Sequence, residues 1–167
     1  MSKGSLGLLA ICGMVAPIWF IIMWIFSGAM YIGYNHVTQY ISELGAVGSP
    51  VAWFFNPLGL EVYGLLIIAF SYGLYRGIKE SLVGPALLGI SGVGVILVGI
   101  FPMPLPAHNL AFLILAISVI LSCFTFPVCF KRDVRWKSLQ KYTLLTGVLA
   151  LIFLFLLLLV LRLGSVD

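Results

Sequence analysis

Two histidines and two glutamates are the side chains best suited to chemistry in this sequence. His36, Ser42 and Glu43 lie in the stretch NHVTQYISELGAVGSP, residues 35–50. Asn56 and Glu61 follow in FNPLGLE, and His108 and Asn109 stand at the head of a later apolar run. Paired imidazoles and carboxylates can do general acid–base work or hold a zinc-like ion. Ser42 beside Glu43 is the candidate nucleophile, but no nucleophile elbow surrounds it. No H-E-x-x-H, H-x-H or C-x-x-C spacing is present, so no metal and no cofactor is expected. A structural reading stands beside the chemical one. Glu61 can be neutral and hydrogen-bonded to Asn56, Tyr63 or a backbone carbonyl; His108 can cap a helix; SELG can be a turn in which Ser42 caps a short interfacial helix.

These residues interrupt a sequence that is otherwise apolar. Of the 167 residues, 62% are hydrophobic and 8% are charged, against about 25% charged in a soluble domain. Too few polar groups remain to build a water-facing surface, so the solvent for most of the chain is lipid. Apolar runs cover residues 6–31, 51–75, 82–101, 108–130 and 142–163. Each has the roughly 20 residues a helix needs to cross a hydrocarbon core about 30 Å thick. Strands are disfavoured, because the runs are long and do not alternate. The expected fold is all-α: a single polytopic transmembrane bundle over residues 1–167, with five spans. The first run exceeds the apolar core of a signal peptide and is expected to be retained as a span.

Lysine and arginine set an expected orientation. Lys3, Arg76, Lys79, Lys131, Arg132, Arg135, Lys137 and Lys141 fall on one side of the alternating spans, and only Arg162 falls on the other. The positive-inside tendency then puts the N-terminus and the second and fourth connections in the cytoplasm, and the C-terminus outside. The first and third connections face outward, bringing His36, Glu43, His108 and Asn109 to one side. The net charge of +4 is therefore read as topology, and nucleic acid is not an expected partner. Trp136 among the cations of the fourth connection also suits a segment lying on anionic headgroups.

Glu61 is the acid that falls inside a span; Glu80, Asp133 and Asp167 fall in connections or at the terminus. Its depth depends on where its helix begins. Asn56–Pro57 is a good cap and first turn, which puts Glu61 about 6 Å below the start. A start at Ser49–Pro50, with Pro57 as a kink, puts it about 15 Å down. Either way an embedded carboxylate costs several kcal/mol unless paired or protonated, which marks Glu61 as a site. Gly84, Gly89, Gly92, Gly94 and Gly99 give the third run the smallest surface of the five, and it is expected at the bundle centre. Pro17 and Pro127 fall within the first and fourth runs and are expected to bend them. Cys12, Cys123 and Cys129 read as reduced, buried small hydrophobes.

The stretch YISELGAVGSPVAWFFN, residues 40–56, resembles a family of small archaeal and bacterial multi-span membrane proteins of unknown function. That family carries an I-S-E-L-G-A run after its first span, then F-N, a glycine-rich third span ending in F-P, and a histidine at the start of the next. Ile41 to Ala46, Phe55–Asn56, Phe101–Pro102 and His108 occupy those places. The pattern is also similar to a broader group containing the damage-regulated autophagy modulators and a GPI-anchor remodelling factor. The family more usually has six spans, where five are counted here, and often an acid in the third connection, where this chain has PMPLPAH. The resemblance implies an outward surface made by the first and third connections, serving lipid.

Three functions follow from this reading. The preferred one is a non-enzymatic plasma-membrane protein that binds lipid or stabilises an assembly with other membrane subunits. Its outward polar pocket would be made of His36, Ser42, Glu43, Asn56, Glu61, His108 and Asn109. The second is an enzyme acting on a lipid headgroup in the outer leaflet. The third, a transporter or channel, is weakest: the inner halves of the spans offer only Ser71, Ser122, Thr125, Thr143 and Thr146 as polar groups. No pair of axial histidines for haem is evident.

Overall fold

A computed structural model describes residues 3–78, 81–130 and 136–163. Five helices are long and apolar enough to cross a membrane. We name them α1 (Lys3–Met30), α2 (Ala52–Gly77), α3 (Val83–Ile100), α4 (Pro106–Phe130) and α5 (Gln140–Leu163). Among the described residues there is no strand. Lys79, Glu80, Lys131, Arg132, Asp133, Arg135 and Asp167, which entered the charge reading, lie outside the described residues.

Each helix packs on its neighbour in sequence, so α1, α2, α3, α4 and α5 follow one another across the bundle. α3 sits in the middle and is the most buried, as its glycines predict. Gly92 meets Gly64 of α2 backbone to backbone, and Gly89 faces Ser71 of α2. Gly94 meets the backbone of Leu115 in α4, and Gly84 meets Phe126. Glycine thus serves both faces of α3, letting two neighbours approach closely in a solvent that offers no hydrophobic drive between helices. The outer helices expose rows of apolar side chains, such as Ile18, Ile21 and Ile25 on α1 and Ile152, Phe153 and Phe155 on α5. In water such faces would aggregate; in a bilayer they are the ordinary surface.

Of the two possible starts for the second span, the structure takes the earlier one. The helix begins at Ala52, and Asn56 and Pro57 lie inside it. Residues Phe55–Glu61 are wound as a π-helix, with the Val62 N–H bonded to the Pro57 carbonyl five residues back. Pro57 explains the widening. It has no N–H, and in an α-helix its ring would strike the carbonyl of Trp53; one loose turn accommodates it without ending the helix. Pro17 and Pro127 lie inside α1 and α4.

The two ends of the bundle differ in kind. At one end the connections 31–51 and 101–105 touch: the Val47 N–H donates to the Met103 carbonyl at 2.8 Å. At the other, Ile78 and Phe130 are buried together, and Trp136 stacks on Phe130. Trp136 is half-buried in this cluster. Arg76, Lys137 and Lys141 are exposed at this second end. The three cysteines are free thiols; Cys129 is buried, but Cys12 and Cys123 are only half-buried, because both sit on helix faces partly turned to lipid.

Candidate functional site

The connection 31–51 looked polar but is anchored by an apolar residue. Leu44 is 0% exposed and packs in the main core cluster with Val51 and Phe55, which includes Val95 and Val98 of α3 and Ala111 of α4. Gly33 and Gly48 turn the chain at φ +90° and +89°, a backbone shape that suits glycine. The connection therefore folds back over the end of α3 as part of the core. Hydropathy averaged along residues 35–50 hides this, since a single leucine carries it.

The polar side chains of that connection hold it in place. The Asn35 side-chain carbonyl accepts the N–H groups of Val37 and Thr38, at 2.8 and 3.3 Å. Glu43 follows a turn later, in the short 3-10 turn Ile41–Glu43. Its Oε1 accepts the Tyr40 N–H at 2.8 Å and its Oε2 accepts the Gln39 amide at 2.8 Å. Ser42 is not the cap: its hydroxyl donates to the Met103 sulfur at 3.0 Å, joining the two connections. Asn56 reaches up from α2, its Nδ2 donating to the Gly45 carbonyl at 3.0 Å. The Asn56 Oδ1 is buried with no hydrogen-bond partner among the described residues.

The histidines take separate places. His36 is exposed, its ring set edgewise against Trp24 at 5.2 Å and Tyr34 at 5.1 Å, over Gly28 of α1. His108 is buried in the first turn of α4, its Nδ1 2.9 Å from the Phe101 carbonyl. Asn109 beside it is exposed. The seven predicted side chains thus share one end of the bundle, yet no hydrogen bond links one of them to another. Among the described residues no three His, Cys, Asp or Glu side chains come together.

Glu61 differs from the rest. It is half-buried, and its carboxylate has no hydrogen bond or ion pair among the described residues, so the bond to Asn56 or Tyr63 does not form. Asn56 is turned to Gly45, and Tyr63 stacks on Phe20 at 4.9 Å. Glu61 lies about 14 Å along its helix from Ala52, at 1.5 Å per residue. Its Cγ nevertheless abuts Gly99, in the last turn of α3. It is therefore level with the end of α3, while α2 and the folded connection rise beyond it. The π-turn that carries it is pinned from α1, where the Trp19 indole N–H donates to the Leu58 carbonyl at 2.7 Å and Met23 packs on Gly59. Sequence reasoning did not find Trp19 or Leu44 and read Gly99 only as packing surface; a glycine facing an acid across two helices leaves no local mark.

Residues 14–166 match a family described as a protein of unknown function, DUF998. No curated protein matches the chain, and no solved structure does.

Proposed function

We propose that this chain, which belongs to the DUF998 family of proteins of unknown function, is a non-enzymatic multi-pass membrane protein that binds a lipid headgroup at Glu61. What supports the reading is the Glu61 carboxylate itself. It stands inside a span, where an unpaired charge costs several kcal/mol, and no described residue supplies it a donor. The neighbouring polar groups are already held, Glu43 by Gln39 and Tyr40 and His108 by Phe101. A donor from the lipid would complete the site. Following the charge count, we assign the rim made by residues 31–51 and 101–105 to the outer face of a plasma membrane.

The enzyme alternative has less behind it. The Ser42 hydroxyl is turned to a thioether, both Glu43 oxygens accept bonds within the connection, and no base faces a nucleophile among the described residues. Transport also lacks a polar route. Ser122, Thr125, Thr143 and Thr146 each donate to a backbone carbonyl of their own helix or its first turn, and Ser71 to the Pro85 carbonyl of α3, so these hydroxyls are already engaged.

The test is native mass spectrometry of the full chain released from nanodiscs. Glu61→Gln should fold normally by circular dichroism and carry less bound lipid than the wild-type chain. An identical lipid complement in the variant overturns the proposal.

A further inference from the structure

We propose that the ligand at this rim is a primary ammonium, that of an aminophospholipid headgroup, held between the Glu61 carboxylate and the carbonyls that end α3. The inference rests on the lipid-binding reading above and names its ligand.

The end of α3 is unusually rich in free acceptors. Its last backbone bond runs from the Phe101 N–H to the Leu97 carbonyl, at 2.8 Å. The carbonyls of Val98, Gly99 and Ile100 would next pair with residues 102, 103 and 104. Pro102 and Pro104 have no N–H to give. The Met103 N–H makes no backbone bond to Gly99. These carbonyls form the negative end of the helix dipole. The Glu61 Cγ lies beside this end, 3.5 Å from where a Cβ on Gly99 would stand.

A carboxylate and unpaired carbonyls accept hydrogen bonds and donate none. The elements around this end carry no Lys or Arg, since residues 4–75 and 80–130 contain none; Arg162 stands in the last turn of α5, which packs on α4. A primary ammonium brings one positive charge and three N–H donors, and matches this set. A choline headgroup has the charge without the donors, and an anionic headgroup is repelled. Access is lateral. Leu58 and Leu65, on the same helix as Glu61, are 46% and 58% exposed, so acyl chains can lie along α2 beside the headgroup.

The experiment uses the full chain in nanodiscs of phosphatidylglycerol containing equal amounts of phosphatidylethanolamine and phosphatidylcholine. Native mass spectrometry reads the retained lipid. Phosphatidylethanolamine should be enriched about tenfold over phosphatidylcholine, which is about 1.4 kcal/mol. Glu61→Gln should abolish the enrichment and Glu61→Asp should keep most of it. Gly99→Ala, whose methyl would crowd the Asn56 carbonyl and the Leu60 Cβ at 3.3 Å and which leaves the Glu61 charge in place, should weaken it if Glu61→Gln fails to fold. Equal retention of all three headgroups, still sensitive to Glu61, overturns the ammonium inference and leaves lipid binding standing. Retention that ignores Glu61 overturns both. Free ethanolamine that displaces no phosphatidylethanolamine at millimolar concentration supports the lipid as source; saturable binding of free ethanolamine in lipid-free detergent overturns it.

Discussion

Asn56 and Gly45, eleven residues apart, lock the second helix to the connection before it. The Asn56 Nδ2 donates to the Gly45 carbonyl at 3.0 Å, and a Cβ on Gly45 would run into the Asn56 Oδ1. Asn56→Ala removes the bond and Gly45→Ala removes the space, so each should lower stability by about 1–3 kcal/mol. The double variant should cost less than the two added together, by at least about 0.5 kcal/mol, because relieving the clash requires the asparagine to go. Thermal unfolding of the four proteins in one detergent checks this; additive losses would show that the two residues act independently.

The contact between α2 and α3 is backbone on backbone at Gly64 and Gly92. Gly64→Ala and Gly92→Ala should each destabilise the bundle by about 1–3 kcal/mol, since neither methyl has anywhere to go. Gly7→Ala in α1 is the control, because a Cβ there meets nothing within 4 Å. It should be neutral or stabilise by up to about 1 kcal/mol through helix propensity. Unfolding midpoints in SDS titrations separate the two cases, and equal midpoints for all three variants would contradict this packing.

Leu44→Ala should cost about 2–5 kcal/mol, the range for a buried leucine, although the residue lies in a connection. Val47→Ala, at a position 64% exposed in the same connection, should cost almost nothing. Unfolding monitored by tryptophan fluorescence reads the difference. A Leu44→Ala protein as stable as the wild type would mean that residues 31–51 do not belong to the core.

Orientation is tested by labelling in a background with Cys12, Cys123 and Cys129 changed to Ala. Val37, 91% exposed at the rim, should react as Val37→Cys with a membrane-impermeant maleimide added to intact cells. Lys137→Cys, at the opposite end, should react only after permeabilisation. The reverse pattern would invert the membrane topology proposed from the charges.

Much of the fold was legible because lipid imposes a simple rule. A backbone that finds no water must bond to itself, so a run of about 20 apolar residues is a helix whatever its neighbours do. The five runs and the central, glycine-faced α3 could be read in this way. The start of α2 could not, because Asn56–Pro57 is a sound helix start by local chemistry. Only the packing of Val51 and Phe55 around Leu44 makes the earlier start favourable and leaves Pro57 to be taken up by a π-turn.

The amino-acid sequence alone therefore determined the number of crossings, the separation of cations from the histidine-bearing connections, and the list of polar residues at one end. Tertiary structure decided what those residues do. Ser42 finds Met103 sixty-one residues away, Asn56 finds Gly45, and Glu61 is left facing Gly99 with no donor. The physical reason is range. Transfer of a helix into lipid is a sum over neighbouring residues, whereas a hydrogen bond between connections depends on where two distant segments come to rest.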